Sequence, residues 1–303
     1  MNNGLVSVVM CTYNGSRFVA EQIESICNQT YKNLRVIIVD DASTDTTYEI
    51  VKRYAAKDER IQAYKNDNNL GFNLNFNKAC KLATGDFIAI ADQDDIWEKT
   101  KIEKLLAKIN EDPDILLVHC ISARFEKFGK FHLKSHKLVN YLAGKDVRNF
   151  FLSNFISGHN MLLRRSLLEK SLPFPGDVYY DWWLSAVASC NGKIEPVPEI
   201  LVWHRMHDAN ATGAAKPKLY LYKQVMIILP QLITIKGMSP IEKEFGMQLL
   251  KYYSVFPSKK ISWPLFIFLV KHAKILLAHK KRVFPWFSYL KHSLKSAKAK
   301  TLA

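Results

Sequence analysis

The chain has 303 residues, 48% of them hydrophobic, which is enough for one large α/β domain with an appendage. Its formal charge of +15 is unevenly placed: residues 217–303 hold 16 Lys and Arg against Glu242 and Glu244, so residues 1–216 are close to neutral. Five cysteines, odd in number and without CxxC or zinc spacing, argue against a disulfide framework or structural zinc and read as reduced thiols of a cytosolic protein, and the first residues lack the basic start of a signal peptide.

Residues 6–11 form a β-branched apolar run that ends in the polar loop Thr12-Tyr13-Asn14-Gly15-Ser16. Phe18, Val19, Ile23, Ile26 and Cys27 follow at helical spacing. Residues 34–39 repeat the pattern, ending in Asp40-Asp41-Ala42-Ser43-Thr44-Asp45, with Ile50, Val51 and Tyr54 marking a second helix. A third run, 87–92, leads into Asp92-Gln93-Asp94-Asp95. This βαβ alternation predicts an α/β fold with a parallel sheet buried on both faces. Ligands of such sheets bind in the crevice outside the carboxyl ends of the strands, and all three polar loops lie on that edge.

Asp92, Asp94 and Asp95 repel one another, and packing gives no reason to gather them. A hard cation such as Mg²⁺ or Mn²⁺ would offset that repulsion, with substrate phosphates filling its remaining positions. The alternative is a solvated loop that caps the next helix, since Asp is common at helix starts.

Further along, Asp181 stands among Tyr179, Tyr180, Trp182 and Trp183. A lone carboxylate among four aromatics is costly unless it is partnered or functional, although Asp181 also precedes a helical pattern and fits an N-cap. Ile200, Leu201 and Val202 read as a strand leading into Trp203-His204-Arg205-Met206-His207. Strand alternation puts Arg205 and His207 on one face. A domain boundary is expected near 213–217, dividing the chain into 1–215 and a basic helical region, 216–303. The greasiest stretch there, 261–270, is half the roughly 20 residues needed to span a bilayer. Basic residues with Trp263, Trp286 and Phe287 suit the surface of an anionic membrane. Nucleic acid fits less well, because the charge accompanies apolar surface and no nucleic-acid module is present. An ordinary helical subdomain with a basic outer face is the third reading.

The segments Val6-Ser7-Val8-Val9-Met10-Cys11-Thr12-Tyr13-Asn14, Val39-Asp40-Asp41-Ala42-Ser43-Thr44-Asp45 and Asp92-Gln93-Asp94-Asp95-Ile96-Trp97 together resemble glycosyltransferase family 2 over about residues 5–212. The first is similar to that family's opening strand and loop, the second to its nucleoside site, the third to its metal-binding Asp-x-Asp. Asn69-Leu70-Gly71-Phe72-Asn73-Leu74-Asn75-Phe76 resembles the rhamnosyltransferase-like branch. Much of the family has a basic residue where Phe76 stands, so a phosphate contact from that position is missing or comes from Arg205 or Arg164.

The resemblance implies a GT-A fold: a Rossmann-like mixed, mainly parallel sheet flanked by helices, here with a C-terminal basic helical appendage. It implies inverting transfer of a sugar from a nucleotide diphosphate, UDP or dTDP and with dTDP-rhamnose as the leading donor, to a hydroxyl of a glycan or lipid-linked saccharide. Asp94 is then the main ligand of Mn²⁺ or Mg²⁺, with Asp92 on metal or ribose, and His207 in the same shell or held structurally. Asp95 supports the loop or caps the helix near Glu98. Thr12, Tyr13 and Asn14 wrap base and ribose, Asp41 accepts the pyrimidine N–H, and Arg205 meets the pyrophosphate. Asp181 becomes the general base. Gly158, His159 and Asn160, with Trp182, form the acceptor and donor loop. The implied place of work is the cytoplasmic face of the cell membrane, in surface polysaccharide synthesis. A sugar nucleotidyltransferase would need a Gly-rich, Arg-bearing loop after the first strand, and 12–17 has one glycine. A non-catalytic scaffold of the same fold would have lost a metal Asp or the base, and both are present.

Overall fold

The computed structural model describes residues 4–127, 130–132, 141–208, 221–255, 261–280 and 284–298. The three apolar runs are strands β1 (Val6–Thr12), β2 (Leu34–Asp40) and β4 (Phe87–Ala91), with β3 (Ile61–Lys65) outside β2. They pair in parallel in the order β3-β2-β1-β4, with Thr12 opposite Asp40 and Met10 opposite Ala91, so their carboxyl ends are level. Helices α1 (Val19–Cys27), α2 (Thr47–Ala55) and α3 (Phe72–Lys81) make the crossovers.

Beyond β4 the sheet becomes mixed. The remaining elements are β5 (Ile96–Trp97), α4 (Lys101–Ile109), β6 (Ile115–Lys127), β7 (Lys130–His132), β8 (Met161–Arg164), α5 (Arg165–Ser171), α6 (Tyr180–Asn191) and β9 (Lys193–Arg205). The full order is β3-β2-β1-β4-β8-β6-β9-β5, with β7 beside β6. β8 runs antiparallel to both β4 and β6, β9 is parallel to β6, and β5 is antiparallel to β9.

Side chains alternate along each buried strand and so fill two cores. Val9, Ile37, Val39, Ile88 and Ile90 point to one face, Val8, Met10, Val36, Ile38 and Ala89 to the other. The second face is covered by α1 and α4 through Val19, Ile23, Ile26, Ile102, Leu105 and Ile109.

Five helices follow: α7 (Leu221–Leu232), α8 (Pro240–Ser254), α9 (Trp263–Lys271), α10 (Ala273–Leu276) and α11 (Pro285–Ala297). Their inward residues, among them Leu229, Leu249, Tyr253, Leu265, Phe268 and Leu276, belong to the same core as Val9 and Ile88. α8 begins with a capping box between Ser239 and Glu242 and Pro240 at its first position, the arrangement that best satisfies free N–H groups at a helix start. The stretch 261–270 is split by face: Leu265, Phe268 and Leu269 are buried, whereas Trp263 and Ile267 are about 60% exposed (59% and 63%). No helix among the described residues is long and apolar enough to cross a membrane. The boundary expected near 213–217 lies outside the described residues, as do Lys281 and Arg282.

Candidate active site

A cavity of about 850 Å³ opens beyond the carboxyl ends of β1, β2 and β4, the edge where the three polar loops were expected. At one end it is lined by Thr12, Tyr13, Asp41, Gly71, Phe72 and Phe76, at its middle by Asp92, Gln93 and Asp94, and at the far side by Gly158, His159, Asn160, Asp181 and His204.

The loop after β1 is tied to its neighbours by backbone and side-chain hydrogen bonds. Thr12 Oγ1 donates to Asp40 Oδ2 at 2.9 Å, and Asp40 also accepts from the Ser43 N–H and hydroxyl, which makes Asp40 a structural brace. Asn14 adopts φ 47°, a left-handed conformation that Asn tolerates, and its Oδ1 accepts the Thr44 N–H. Asn14 therefore knits two loops and is not among the cavity-lining residues. Tyr13 is 46% exposed at the rim. Gln93 clasps its backbone in both directions, Oε1 accepting the Tyr13 N–H at 2.9 Å and Nε2 donating to the Tyr13 carbonyl at 3.0 Å. Gln93 was not singled out from sequence, and its identity between two aspartates gave no signal. Asp41 accepts from Asn66 Nδ2 and the Leu70 N–H at Oδ1, and from the Gly71 N–H at Oδ2. Oδ2 keeps acceptor capacity toward the cavity. Phe76, in place of a basic residue, is buried and packs on Tyr180 with ring centroids 4.2 Å apart.

The acidic loop is organised by two strand registers. β5 pairs Ile96 with Trp203, which brings His204 and Arg205 beside Asp95 and Asp94. His204 Nδ1 lies 3.0 Å from Asp95 Oδ1, the Arg205 N–H donates to the same oxygen, and Arg205 Nε donates to the Asp94 carbonyl at 3.0 Å. β8 pairs Ala89 with Leu162, which sets the 3₁₀ turn Gly158–Asn160 against the end of β4. His159 Nδ1 is 2.8 Å from Asp92 Oδ2 and 3.3 Å from Asp95 Oδ2. Burial opposes a charge on His159, but Asp95 and Asp92 outweigh it and push the imidazole up to about 9. Burial likewise opposes ionisation of Asp95, yet His159, His204 and the Arg205 N–H hold its carboxyl below the usual range. Asp94 differs: burial, then Asp95 and Asp92, raise its carboxyl, and its His207 partner at 2.9 Å only partly answers.

Among the described residues, the His, Cys, Asp and Glu set whose ligand atoms all lie within 4.8 Å of one another is Asp95, His159 and His204. Asp92, Asp94 and His207, the set expected from sequence, do not converge to that degree. The trio, however, already answers its own charge through the imidazoles. Asp94 and Asp92 line the cavity, and burial with the neighbouring carboxylates raises the Asp94 carboxyl, so a hard cation bound beside them would relieve that repulsion.

Asp181 is in the first turn of α6, not at its cap, which is Tyr179. Its Oδ1 accepts the Trp182 N–H at 2.7 Å. Burial dominates and pushes the carboxyl up to about 6, with Asp92 adding to the rise while the Trp182 and Gly158 N–H groups and His159 restrain it. Gly158 has no room for a side chain, since a Cβ would stand 2.0 Å from the Tyr180 hydroxyl oxygen.

Several expected residues fall elsewhere. Arg205 is buried and its guanidinium lies between the rings of Phe18 and Phe125, paired to Glu21 at 2.7 Å, so it braces the acidic loop from behind and does not line the cavity. Arg164 donates to the Ile109 and Ile115 carbonyls. Trp182 is a core residue whose Nε1 donates to the Phe150 carbonyl. The helix cap after the acidic loop is Thr100, not Asp95. Arg205 and His207 do come to the same place although β9 ends at Arg205: both lie against the Phe18 ring, and both contact Asp94, Arg205 at its carbonyl and His207 at its carboxylate.

The family model for glycosyl transferase family 2 matches residues 7–172. The chain belongs to glycosyltransferase family 2. It is 34% identical over 230 residues to an uncharacterized glycosyltransferase of Methanocaldococcus jannaschii, covering 73% of this chain and 78% of that protein. It is 41% identical over 131 residues to the putative glycosyltransferase EpsE of Bacillus subtilis, covering 43% of this chain and 47% of that one. In fold it is similar to S. aureus TarS 1-349 in complex with UDP-GlcNAc, with a TM-score of 0.64 at 18% identity over 97% of this chain and 81% of that one. It covers 43% of a longer TarS chain. The mannosyltransferase PcManGT from Pyrobaculum calidifontis, in complex with GDP-Man and Mn2+, gives a TM-score of 0.57 at 18% identity, over 97% of this chain and 85% of that one. These likenesses show the GT-A fold, including its mixed sheet. The rhamnosyltransferase-like branch is not among what they show.

The tight seat of Gly158 gives a test of the far wall. Gly158→Ala is expected to lower stability by about 1–3 kcal/mol through overpacking and to reduce turnover. Tyr180→Phe in the same chain, by removing the clashing oxygen, should recover part of both in thermal melts and turnover assays. An unperturbed Gly158→Ala would show that the turn is not fixed as described.

Proposed function

We propose that this family 2 enzyme is a metal-dependent, inverting glycosyltransferase that takes its sugar from a UDP- or dTDP-linked donor and passes it to a hydroxyl of a saccharide or lipid-linked saccharide in surface polysaccharide synthesis. One observation carries the reading: a single cavity brings the carboxylates Asp92 and Asp94 together with a separate carboxyl, Asp181, whose pKa burial raises to about 6. The adjacent pair is suited to a hard cation and the separate carboxyl to accepting a proton.

Asp94 and Asp92, with His207 beside them, are the residues that would hold Mn²⁺ or Mg²⁺, which would supply positive charge against the diphosphate of the leaving group. Asp41 Oδ2 and the rim around Tyr13 are suited to a pyrimidine nucleoside. Asp181 accepts the proton of the acceptor hydroxyl as that oxygen bonds to the anomeric carbon, while the bond from that carbon to the diphosphate oxygen breaks and the nucleotide leaves with the electron pair. Binding of UDP by TarS and of Mn2+ by the mannosyltransferase supports this donor class and cation. Among sugars, dTDP-rhamnose is the first donor to try.

The C-terminal helices are proposed to rest on the anionic inner face of the cell membrane. After Glu244 the chain has no carboxylate side chain. Trp263, Ile267, Phe284, Trp286 and Phe287 are exposed, and so are Lys271 of α9, Lys274 of α10 and Lys291 of α11. Each basic residue near such a surface contributes about 1 kcal/mol.

Three measurements follow from this reading. Calorimetric titration with UDP, dTDP, GDP and CDP, with and without Mn²⁺, is expected to show metal-dependent binding of UDP or dTDP that Asp94→Asn weakens at least tenfold; metal-independent binding unchanged in Asp94→Asn would overturn the metal assignment. Asp181→Asn should bind the nucleotide normally and lose turnover by on the order of 10²- to 10⁴-fold. In the wild type the base must be ionised, so kcat should fall about tenfold per pH unit below about 6 and level off above it. Loss of nucleotide binding in Asp181→Asn would point instead to a structural role. Because Leu265, Phe268 and Leu269 are core residues, the tail is best tested by point changes. A chain with Trp263, Ile267, Trp286 and Phe287 all replaced by Ser is expected to stay folded and to leave phosphatidylglycerol vesicles in flotation assays, and undiminished flotation would rule out this surface.

A further inference from the structure

Lys101 is the first residue of α4, and its side chain is fully buried. Lysine is rarely buried to this degree unless paired, and a cation at a helix N-terminus is opposed by the helix dipole. Its ammonium nevertheless points inward, donating to the His159 carbonyl at 2.7 Å and lying 3.2 Å from the centroid of the Trp97 ring. Burial pushes this ammonium down to about 7, and the field of Asp95 and Asp92 works against that fall. The acceptor is backbone, not a carboxylate, and it belongs to the turn Gly158–Asn160. That turn carries two groups of the site: the His159 ring 2.8 Å from Asp92, and the Gly158 N–H that acts on Asp181.

We propose that Lys101 is a positioning residue: its hydrogen bond to the His159 carbonyl fixes the 158–160 turn, and through the turn it sets the Gly158 N–H against Asp181 and the His159 ring against Asp92. The other wall of the turn is Tyr180, which leaves no room at Gly158, so the turn is pressed from one side and tethered from the other. The catalytic half of this proposal rests on Asp181 being the base. The placement of the turn does not.

The test uses the full chain with Lys101→Met, which keeps the apolar stem and removes the donor. It is expected to fold, to bind UDP or dTDP within roughly threefold of the wild type, and to lose kcat on the order of 10- to 100-fold, as misplacement of a reacting group does. The charged groups acting on Asp181 are Asp92 and His159. With the Gly158 N–H displaced, burial acts with less restraint, so the acid limb of kcat moves to higher pH. Lys101→Gln retains an N–H donor and should recover part of kcat, and it serves as the readout if Lys101→Met does not fold. Crystals of the ligand-free Lys101→Met chain should show the 158–160 turn displaced. An unmoved turn, or wild-type kcat and acid limb in Lys101→Met, overturns the proposal. So does a parallel loss of nucleotide binding and thermal stability with the acid limb in place. If the wild type transfers no sugar while the turn still moves on substitution, the positioning stands and the assignment of Asp181 fails.

Discussion

Repulsion among Asp92, Asp94, Asp95 and Asp181 is the constraint around which the site is built. Like charges this close raise one another's pKa and strain the fold unless answered. The protein answers them unequally. Asp95, the most buried, is held below the usual carboxylate range by His159, His204 and the Arg205 N–H, whereas burial and the fields of Asp95 and Asp92 raise Asp94 against the pull of His207. The result is a loop braced at its inner end by imidazoles and a backbone N–H, with Asp92 and Asp94 at the wall of the cavity. Arg205 contributes from behind, tying the Asp94 carbonyl and Glu21 together between two aromatic rings.

That distribution follows from strand direction. Had the sheet continued in parallel after β4, the element beside Asp92 would have been another carboxyl-end loop. The antiparallel β8 instead presents its amino end, and with it the turn Gly158–Asn160, to the carboxyl end of β4. β5, only two residues long, does the same for the end of β9. Two short antiparallel pairings therefore deliver the imidazoles to the carboxylates, and the surrounding core fixes their register, because a slip of one residue would turn every side chain to the opposite face.

What was legible in the sequence is what local pattern encodes. Three two-sided apolar runs with level polar ends gave the parallel half of the sheet and the edge where the cavity lies, and the carboxylate isolated among aromatics, Asp181, lines that cavity. The antiparallel half came only through resemblance, since β5 and β8 are too short to show a period. Roles set by distant contacts were not readable. Asp95 reads as a helix cap until β9 is beside it. His204 alternates to the other face from Arg205 and His207, and only the pairing of β5 with β9 brings it to Asp95. Arg205 reads as a phosphate ligand until Phe18, Phe125 and Glu21 enclose it. Lys101 carries no sequence signal, because the carbonyl that holds it lies 58 residues away.

The basic C-terminal helices illustrate the same division between charge and packing. Their composition separates them from residues 1–216, yet their apolar residues complete the core on one face of the sheet. They also reach the cavity wall: His279, just past α10, stacks on Phe155 with ring centroids 5.2 Å apart, and Phe155 both stacks on Phe150 and lines the cavity. A detachable anchor would share no core and touch no wall. The helices are better understood as a layer with two jobs on two faces, an inner face that packs against the cavity wall at Phe155 and an outer face that carries the lysines and exposed aromatics. Charge on the outer face acts through water and is screened within about 10 Å at moderate salt, whereas the packing on the inner face is not. Salt should therefore weaken the contacts of the outer face while leaving the geometry around Asp94 and Asp181 unchanged.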